Sequence, residues 1–594
     1  MAAARYTDRT DSVEEKLRLL RAAHAAGNDD LALSLADSIK DTITFEHDAH
    51  RNAGRPELGA EVFAPVADLP QAFAKWAHPW LYYKPVTLFE TVGIARSREP
   101  VDLIVAFRAD QATDLDREIR VARLNLREGT LAEVPSQVYA SSRVGNERRC
   151  RLVFLADVPA HGQAVYLVFY GNTYAERPRY ATDLTTTGDG YALEVANQHY
   201  IAHLSAQTGQ LERLTYKREH GLELFAGGKG HGEPPDIDWG HDYVDQDGFQ
   251  KLRIRNWPRC RNYEVVKGPL FASVRRWGFP ASPLHPVYTP SRIHMDVTYT
   301  FYAGLPYFFK QSRFDVIQDV QIEAMRDDEW VFSGYSFTDT VWIDHQGKLH
   351  EGDVSAEHAD NLWGVGLFHR QSRDAFIALR LDHSADKFDA LQHGGTPTLH
   401  YAGHGQLWSR YPANHAQLKA GASIRQKNAY LVSPYPKENP TGELQSVWHR
   451  LRSPLEVHSD KLGRVNAANP IGALARPGES AETAPLKPAV WKTLALVRDE
   501  QFYTFDANIV DMGYVYDVAV QHGVARVLVT MPHRGRPVYD FLVTQGGGRV
   551  EEGIRERLLK IDGLREVVVD FTWDPPWTVH RLRDPARLGL ALPV

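Results

Sequence analysis

The chain has 594 residues, and its 75 acidic against 68 basic side chains leave a formal net charge of −7. An apolar fraction of 43% with 24% charged residues is that of a globular chain, which excludes a mainly disordered or fibrous protein. The mildly acidic balance gives no footprint for phosphate backbones or anionic lipid, so neither nucleic acid nor a membrane surface is expected as a partner. With only Cys150 and Cys260, far apart, the chain offers no disulfide framework and no zinc site built from paired thiolates. The charged start MAAARYTDRTDSVEEKLRLL has no apolar signal core, and no window reaches the roughly 20 apolar residues that cross a bilayer, so a cytoplasmic location is expected.

In chain order, residues 1–75 read as an N-terminal helical hairpin and linker. Ser12 and the acidic pair Glu14–Glu15 suit a helix start, Leu17, Leu20 and Ala23 recur at helical spacing up to Gly27, and a second helix is expected after Asn28. A lone hairpin of this kind suits docking or dimerisation, giving a homo-oligomer or a partner subunit. From about Trp76 the period becomes that of strands. The runs at 86–89, 101–107, 151–155 and 164–170 predict a small β-sandwich over 76–185. Long alternating strands without clear helices then fill 186–465, where Ala303-Gly304-Leu305-Pro306 separates two of them as a hairpin turn. Residues 466–489 have linker composition, and 490–594 alternate as an α/β unit. The expected fold is therefore mainly β: a small sandwich and a large stacked-sheet body between a helical start and an α/β tail.

Two stretches carry resemblances. Asn508-Ile509-Val510-Asp511-Met512-Gly513-Tyr514-Val515-Tyr516-Asp517-Val518, followed by Trp573-Asp574-Pro575-Pro576-Trp577-Thr578, resembles the iron–sulfur-assembly (SUF- and PaaD-associated) domain family over about 490–594. Members commonly carry a cysteine after the second strand. Here that stretch is Thr530-Met531-Pro532-His533, without a thiolate, so the resemblance implies a reused docking domain in place of a cluster site. Residues 85–460, through Val134–Val138, Leu152–Ala160, Leu193–Asn197 and Tyr299–Tyr307, resemble the small sandwich and β-supersandwich (galactose-mutarotase-like) domains of α-mannosidases and polysaccharide lyases. That resemblance implies a carbohydrate or glycoside substrate. The catalytic barrel or helical toroid of those enzymes has no room in the 75 residues before the first strand, so chemistry is expected on the supersandwich or from a partner.

Three clusters offer reactive side chains. One is turn-rich and holds Trp239, His241, Asp242 and Tyr243; the second enters a strand at Glu329; the third holds His404, Trp408, Arg410 and Tyr411. For elimination at a uronate, His and Tyr can act as base and acid while Arg pairs with the carboxylate. Hydrolysis would need paired carboxylates about 5–10 Å apart, with Asp238, Asp242 and Glu329 as the nearest candidates. His241, Tyr243, Glu329, His404, Arg410 and Tyr411 are thus the expected catalytic residues, with Trp239, Asp242 and Trp408 as sugar-binding residues and no metal site. No cofactor is assigned by the sequence. The expected function is a lyase or glycosidase, with a non-catalytic sugar-binding or scaffold subunit as the alternative.

Overall fold

A computed structural model describes residues 7–9, 13–29, 31–33, 35–36, 39 and 55–590, apart from 70, 126–129, 219–222, 225–239, 246–247, 255–256, 258, 261, 281–291, 334–337, 355–361, 388–398, 402–403, 459–485, 499–507, 531–552, 573–576 and 578–580. The protein is mainly β, arranged in several sheets with few helices. Of the expected N-terminal hairpin, the helix Val13–Ala25 is present and the described residues 31–33, 35–36 and 39 of the second helix are helical, whereas most of the 466–489 linker lies outside the described residues. The start of the chain is sewn into the body. Thr7–Arg9 pairs with Asn262–Val266 at the edge of the largest sheet, and the buried Lys16 ammonium donates to Asn262 Oδ1 at 2.7 Å.

Two sheets form the sandwich. One orders the strands Glu57–Leu58, Arg96–Arg108, Glu147–Val158 and Ser136–Val144; the other centres on Tyr82–Phe89, Gln163–Tyr170 and Arg120–Asn125. Their inner faces share one apolar core that includes Leu103, Val105, Leu152, Phe154, Tyr166 and Val168. Trp76 belongs to a helix, Gln71–Ala77, and not to a strand: Phe73 and Ala77 fall one turn apart and bury together, which is helical spacing. The sandwich also takes back a strand from far along the chain, since Glu456–His458 pairs with Tyr82–Phe89.

The largest sheet has ten strands. Its middle runs Asn262–Val266, Phe271–Gly278, Ile293–Tyr302, Tyr307–Val316, Ser423–Pro434, Asp374–Asp386 and Gly364–Phe368, antiparallel throughout. The hairpin across Ala303–Pro306 forms as expected, with Gly304 at φ +68°. Both faces of this sheet are covered. One shares a core with two five-stranded sheets, through Val297, Tyr299, Phe308, Ile322, Met325 and Ala413. The other packs against the sandwich and a helix, through Tyr139, Val153, Phe271, Tyr307 and Trp448.

That helix, Pro440–Arg452, departs from the strand-only reading of this region. Asn439 caps it, its side chain accepting from Gly442 N at 3.1 Å, and Pro440 sits where its missing N–H costs nothing. Leu444, Trp448 and Leu451 form its buried stripe, and the Trp448 ring stacks on Trp363 at 3.8 Å. Arg96 of the sandwich closes the other end by donating to the carbonyls of Arg450 and Ser453, both at 2.8 Å, while pairing with Glu90. After the linker, Leu486–Leu494 and Ile554–Leu558 are helices beside a sheet of Val515–Gln521, Val524–Val529 and Glu566–Phe571, with its own core around Val490, Leu494, Val518, Val527 and Ile554.

Candidate functional site

All the described site residues expected from sequence fall in one five-stranded sheet. His241, Asp242 and Tyr243 lie in Gly240–Asp245, Glu329 in Val320–Ser333, and His404, Trp408, Arg410 and Tyr411 in His404–Leu418; Trp239 lies outside the described residues. Register sorts them. Glu329 pairs with Trp408, and Asp327 with Arg410, so Glu329, Trp408, Arg410 and Tyr411 are neighbours. His241 pairs with Met325, which pairs with Ala413, whereas His404 pairs with Ser333. Nine residues separate Ala413 from His404 along the strand. At about 3.3 Å per residue this puts roughly 30 Å between the rows of the two histidines, several sugar rings apart, so they are not brought to one groove.

A second set of polar residues, missed in the sequence, lies on the neighbouring ten-stranded sheet. Following the register across five consecutive strands gives one row of Arg276, Val297, Ser312, Gln426 and His383. The row beside it holds Val274, Tyr299, Lys310, Asn428 and Arg380. Val274, Val297 and Tyr299 in these rows belong to the core shared with the five-stranded sheets, so cross-strand pairing places their row mates on the same face. Arg276, Lys310 and Asn428 are fully buried, Ser312 and Gln426 nearly so, and Arg380 and His383 are half-buried at the open end. Ten register positions thus supply two guanidinium groups, an ammonium, an imidazole, two amides and the hydroxyls of Ser312 and Tyr299, and no carboxylate.

The polar groups are held in place individually. Gly209, at φ +71°, lets the loop close on the Arg276 side chain: a Cβ there would sit 2.8 Å from Arg276 Cδ. Arg276 donates to the Thr208 carbonyl at 3.2 Å and lies over the Tyr299 ring at 4.9 Å. His383 Nε2 meets Asn428 Oδ1 at 2.8 Å, and Asn428 Nδ2 donates to Tyr430 Oη at 3.4 Å. With the amide so oriented, the imidazole carries its proton on Nε2, and Nδ1 is the basic nitrogen of the neutral ring. Among the described residues, Ser312 Oγ is buried with no hydrogen-bond partner. A buried hydroxyl without a partner costs about 1–3 kcal/mol, a cost that a ligand would relieve.

Elsewhere buried charges pair with one another. Between sandwich and large sheet, Asp102 accepts from Arg151 at 2.7 Å and Tyr139 at 2.9 Å and pairs with Arg55. Burial works to raise its pKa, but the two guanidinium groups hold it below the usual carboxylate value. All three partners meet the same oxygen, Oδ2, and the network acts as a structural weld. Among the described residues, no group of three or more His, Cys, Asp or Glu is placed to hold a metal ion, and no helix is long and apolar enough to cross a membrane.

No family model matches the chain. Over 86 residues, 14% of its length, it is 24% identical to the Fe-S protein maturation auxiliary factor YitW of Bacillus subtilis, covering 76% of that protein. Over 84 residues it is 27% identical to an Fe-S protein maturation auxiliary factor of Porphyromonas gingivalis, covering 72% of it. Among solved structures, one of the Domain of Unknown Function DUF59 from Bacillus anthracis is 24% identical, covering 18% of this chain and 94% of that one, with a TM-score of 0.15. A protein in the glycosyl hydrolase family 38 from Enterococcus faecalis is 10% identical, with a TM-score of 0.39; the match covers 74% of this chain and about half, 52%, of that one. The similarity to iron–sulfur maturation factors therefore belongs to a small part of the chain.

Proposed function

We propose that the protein is a carbohydrate-active enzyme that takes an acidic sugar, a uronate, onto the buried polar rows of its ten-stranded sheet and acts on it by acid–base chemistry. The observation behind this reading is the make-up of those rows: Arg276, Lys310, Arg380, Gln426, Asn428 and Ser312 are donors, and no carboxylate stands among them. Such a wall repels nothing on a sugar acid and offers charge-assisted hydrogen bonds to its carboxylate. It lacks the paired carboxylates that hydrolysis of a neutral glycoside requires, which favours elimination over hydrolysis.

In an elimination the base removes the proton at C5, the C4–O bond breaks as a C4=C5 double bond forms, and the departing oxygen takes a proton. Cations on the carboxylate, Lys310 and Arg380 here, make the C5 proton removable by lowering the energy of the developing anion. His383 Nδ1 is the base. The acid for the leaving oxygen comes from the neighbouring sheet, where Glu329, Arg410 and Tyr411 are neighbours and His241 and Tyr243 lie on the strand next to that of Glu329; Trp408 and Asp242 hold adjoining sugar rings. Oligouronates should give an unsaturated product seen by ultraviolet absorbance, with neutral glycosides inert. His383→Gln should lower the rate by about 10²–10⁴. Release of reducing ends from neutral glycosides without unsaturation, or an unchanged rate in His383→Gln and Lys310→Met, would count against the assignment.

A further inference from the structure

A small open cleft lies between the C-terminal unit and the sandwich. One wall is the edge of the sandwich, where Phe89 and Thr91 stand next to Glu456 on the returning strand. The opposite wall carries Trp491, Tyr516, Arg581 and Arg583. The segment bearing the arginines is strapped over the Ile509–Tyr514 turn: Trp577 Nε1 donates to the Met512 carbonyl at 2.8 Å, and the Arg583 N–H to the Asp511 carbonyl at 2.8 Å. Gly513 is needed at that turn. It lies at φ +66°, and a Cβ on it would come within 2.3 Å of the Arg581 carbonyl oxygen.

The strap leaves both guanidinium groups facing the cleft with little to bind. Arg581 lies over the Tyr516 ring at 4.1 Å, and among the described residues neither side chain makes a hydrogen bond or an ion pair. Glu456 is near enough to be felt by both, yet its carboxylate meets His458 instead, at 3.3 Å. Burial works to raise its pKa, but that contact and the two arginines hold it below the usual carboxylate value, so it stays an acceptor.

We infer that this cleft binds a small organic carboxylate carrying a hydroxyl or amino donor on the carbon next to the carboxylate. Two guanidinium forks match the carboxylate, Glu456 takes the donor, and Phe89 and Trp491 cover the carbon skeleton. A bare anion fits less well, because it would meet the Glu456 charge with no donor to offer. The inference stands on a site apart from the polar rows and does not depend on the uronate reading.

Lactate, alanine and propionate test it, since they share one carbon skeleton and differ in the donor. Titrated onto the full chain and followed by ligand-observed NMR, lactate or alanine, or both, should bind at least tenfold tighter than propionate, and the pair shows whether hydroxyl or amine is preferred. Arg581→Gln and Arg583→Gln should each weaken binding at least tenfold. Thr91→Phe fills the cleft without touching either arginine and should abolish binding while the melting temperature stays put, which separates loss of the site from loss of folding. Equal binding of all three acids, tighter binding of inorganic phosphate than of lactate and alanine, no binding at tens of millimolar, or full binding in Thr91→Phe would each overturn the inference.

Discussion

Lys84 gives the sharpest test of how the sandwich is held together. It sits on a central strand, fully buried, and its ammonium donates to the carbonyls of Gly59 at 2.9 Å, Val62 at 2.7 Å and Ala60 at 3.4 Å, pinning the loop that follows Glu57–Leu58. Burial pushes its pKa down from 10.5 to about 7, with Glu61 and Glu147 pulling weakly the other way. Between those two values the unfolded chain holds a proton that the folded one has released. Stability should therefore rise with pH across that window, by about 1.4 kcal/mol per unit once well above pH 7. From pH 7 to pH 9 the gain is about 2 kcal/mol, or several degrees in the melting transition. Lys84→Met removes the titrating group and leaves every other one in place. Calorimetric melts of both proteins at pH 7, 8 and 9 should show their difference moving steadily in favour of the lysine. A constant difference would mean that the three carbonyls hold the ammonium to its ordinary pKa, and the burial argument would fail.

Gly513→Ala forces a left-handed backbone on a residue with a Cβ and drives that Cβ into the Arg581 carbonyl. The backbone strain alone costs about 1–3 kcal/mol, so the C-terminal transition should fall and Trp577 fluorescence should change; a wild-type melt would contradict the turn geometry. Ser312→Ala removes a buried hydroxyl that has no partner, so the melting temperature should hold or rise by an amount equivalent to about 1 kcal/mol while turnover on oligouronates falls. A marked loss of stability would show that the hydroxyl is structural. Residues 490–594, with their own apolar core, should melt cooperatively as an isolated fragment and, having no cysteine, should show no visible-range cluster spectrum after anaerobic reconstitution.

The strands were legible because alternation survives wherever one face meets a core. The runs at 101–107, 151–155 and 164–170 all fall within observed strands. Pro440–Arg452 announced itself through Asn439-Pro440, a cap followed by a proline at the first helical position, but its apolar residues sit among strands and were read with them. The polar rows had no such signal. In Tyr307–Val316 the face with Phe308, Lys310, Ser312, Phe314 and Val316 is buried throughout, while the other mixes buried Tyr307 and Asp315 with half-buried Phe309 and Arg313 and exposed Gln311. Polar and apolar residue types fall on both faces, so nothing in the run marks Lys310 and Ser312 as sharing a face with Asn428 and His383. Their adjacency is a matter of register between residues 43 to 118 positions apart, which a single sequence does not encode locally.

Register also ranks the two polar regions as places for chemistry. The clusters chosen from sequence were dense in reactive residue types, and density along a strand is a poor guide: His404 and Arg410 lie within seven residues, yet six steps of extended chain cover about 20 Å. Residues stacked across strands stand about 5 Å apart whatever their separation in sequence, which is the spacing at which several groups can touch one sugar. Ser312, Gln426 and His383 are row mates on adjoining strands, with Lys310, Asn428 and Arg380 beside them. A fold that needed only stability would fill such rows with Val and Leu, as it does at Val274 and Val297. Of the polar groups kept there instead, the Ser312 hydroxyl is the one with no hydrogen-bond partner among the described residues, a cost of about 1–3 kcal/mol that a ligand offering it a hydrogen bond would return.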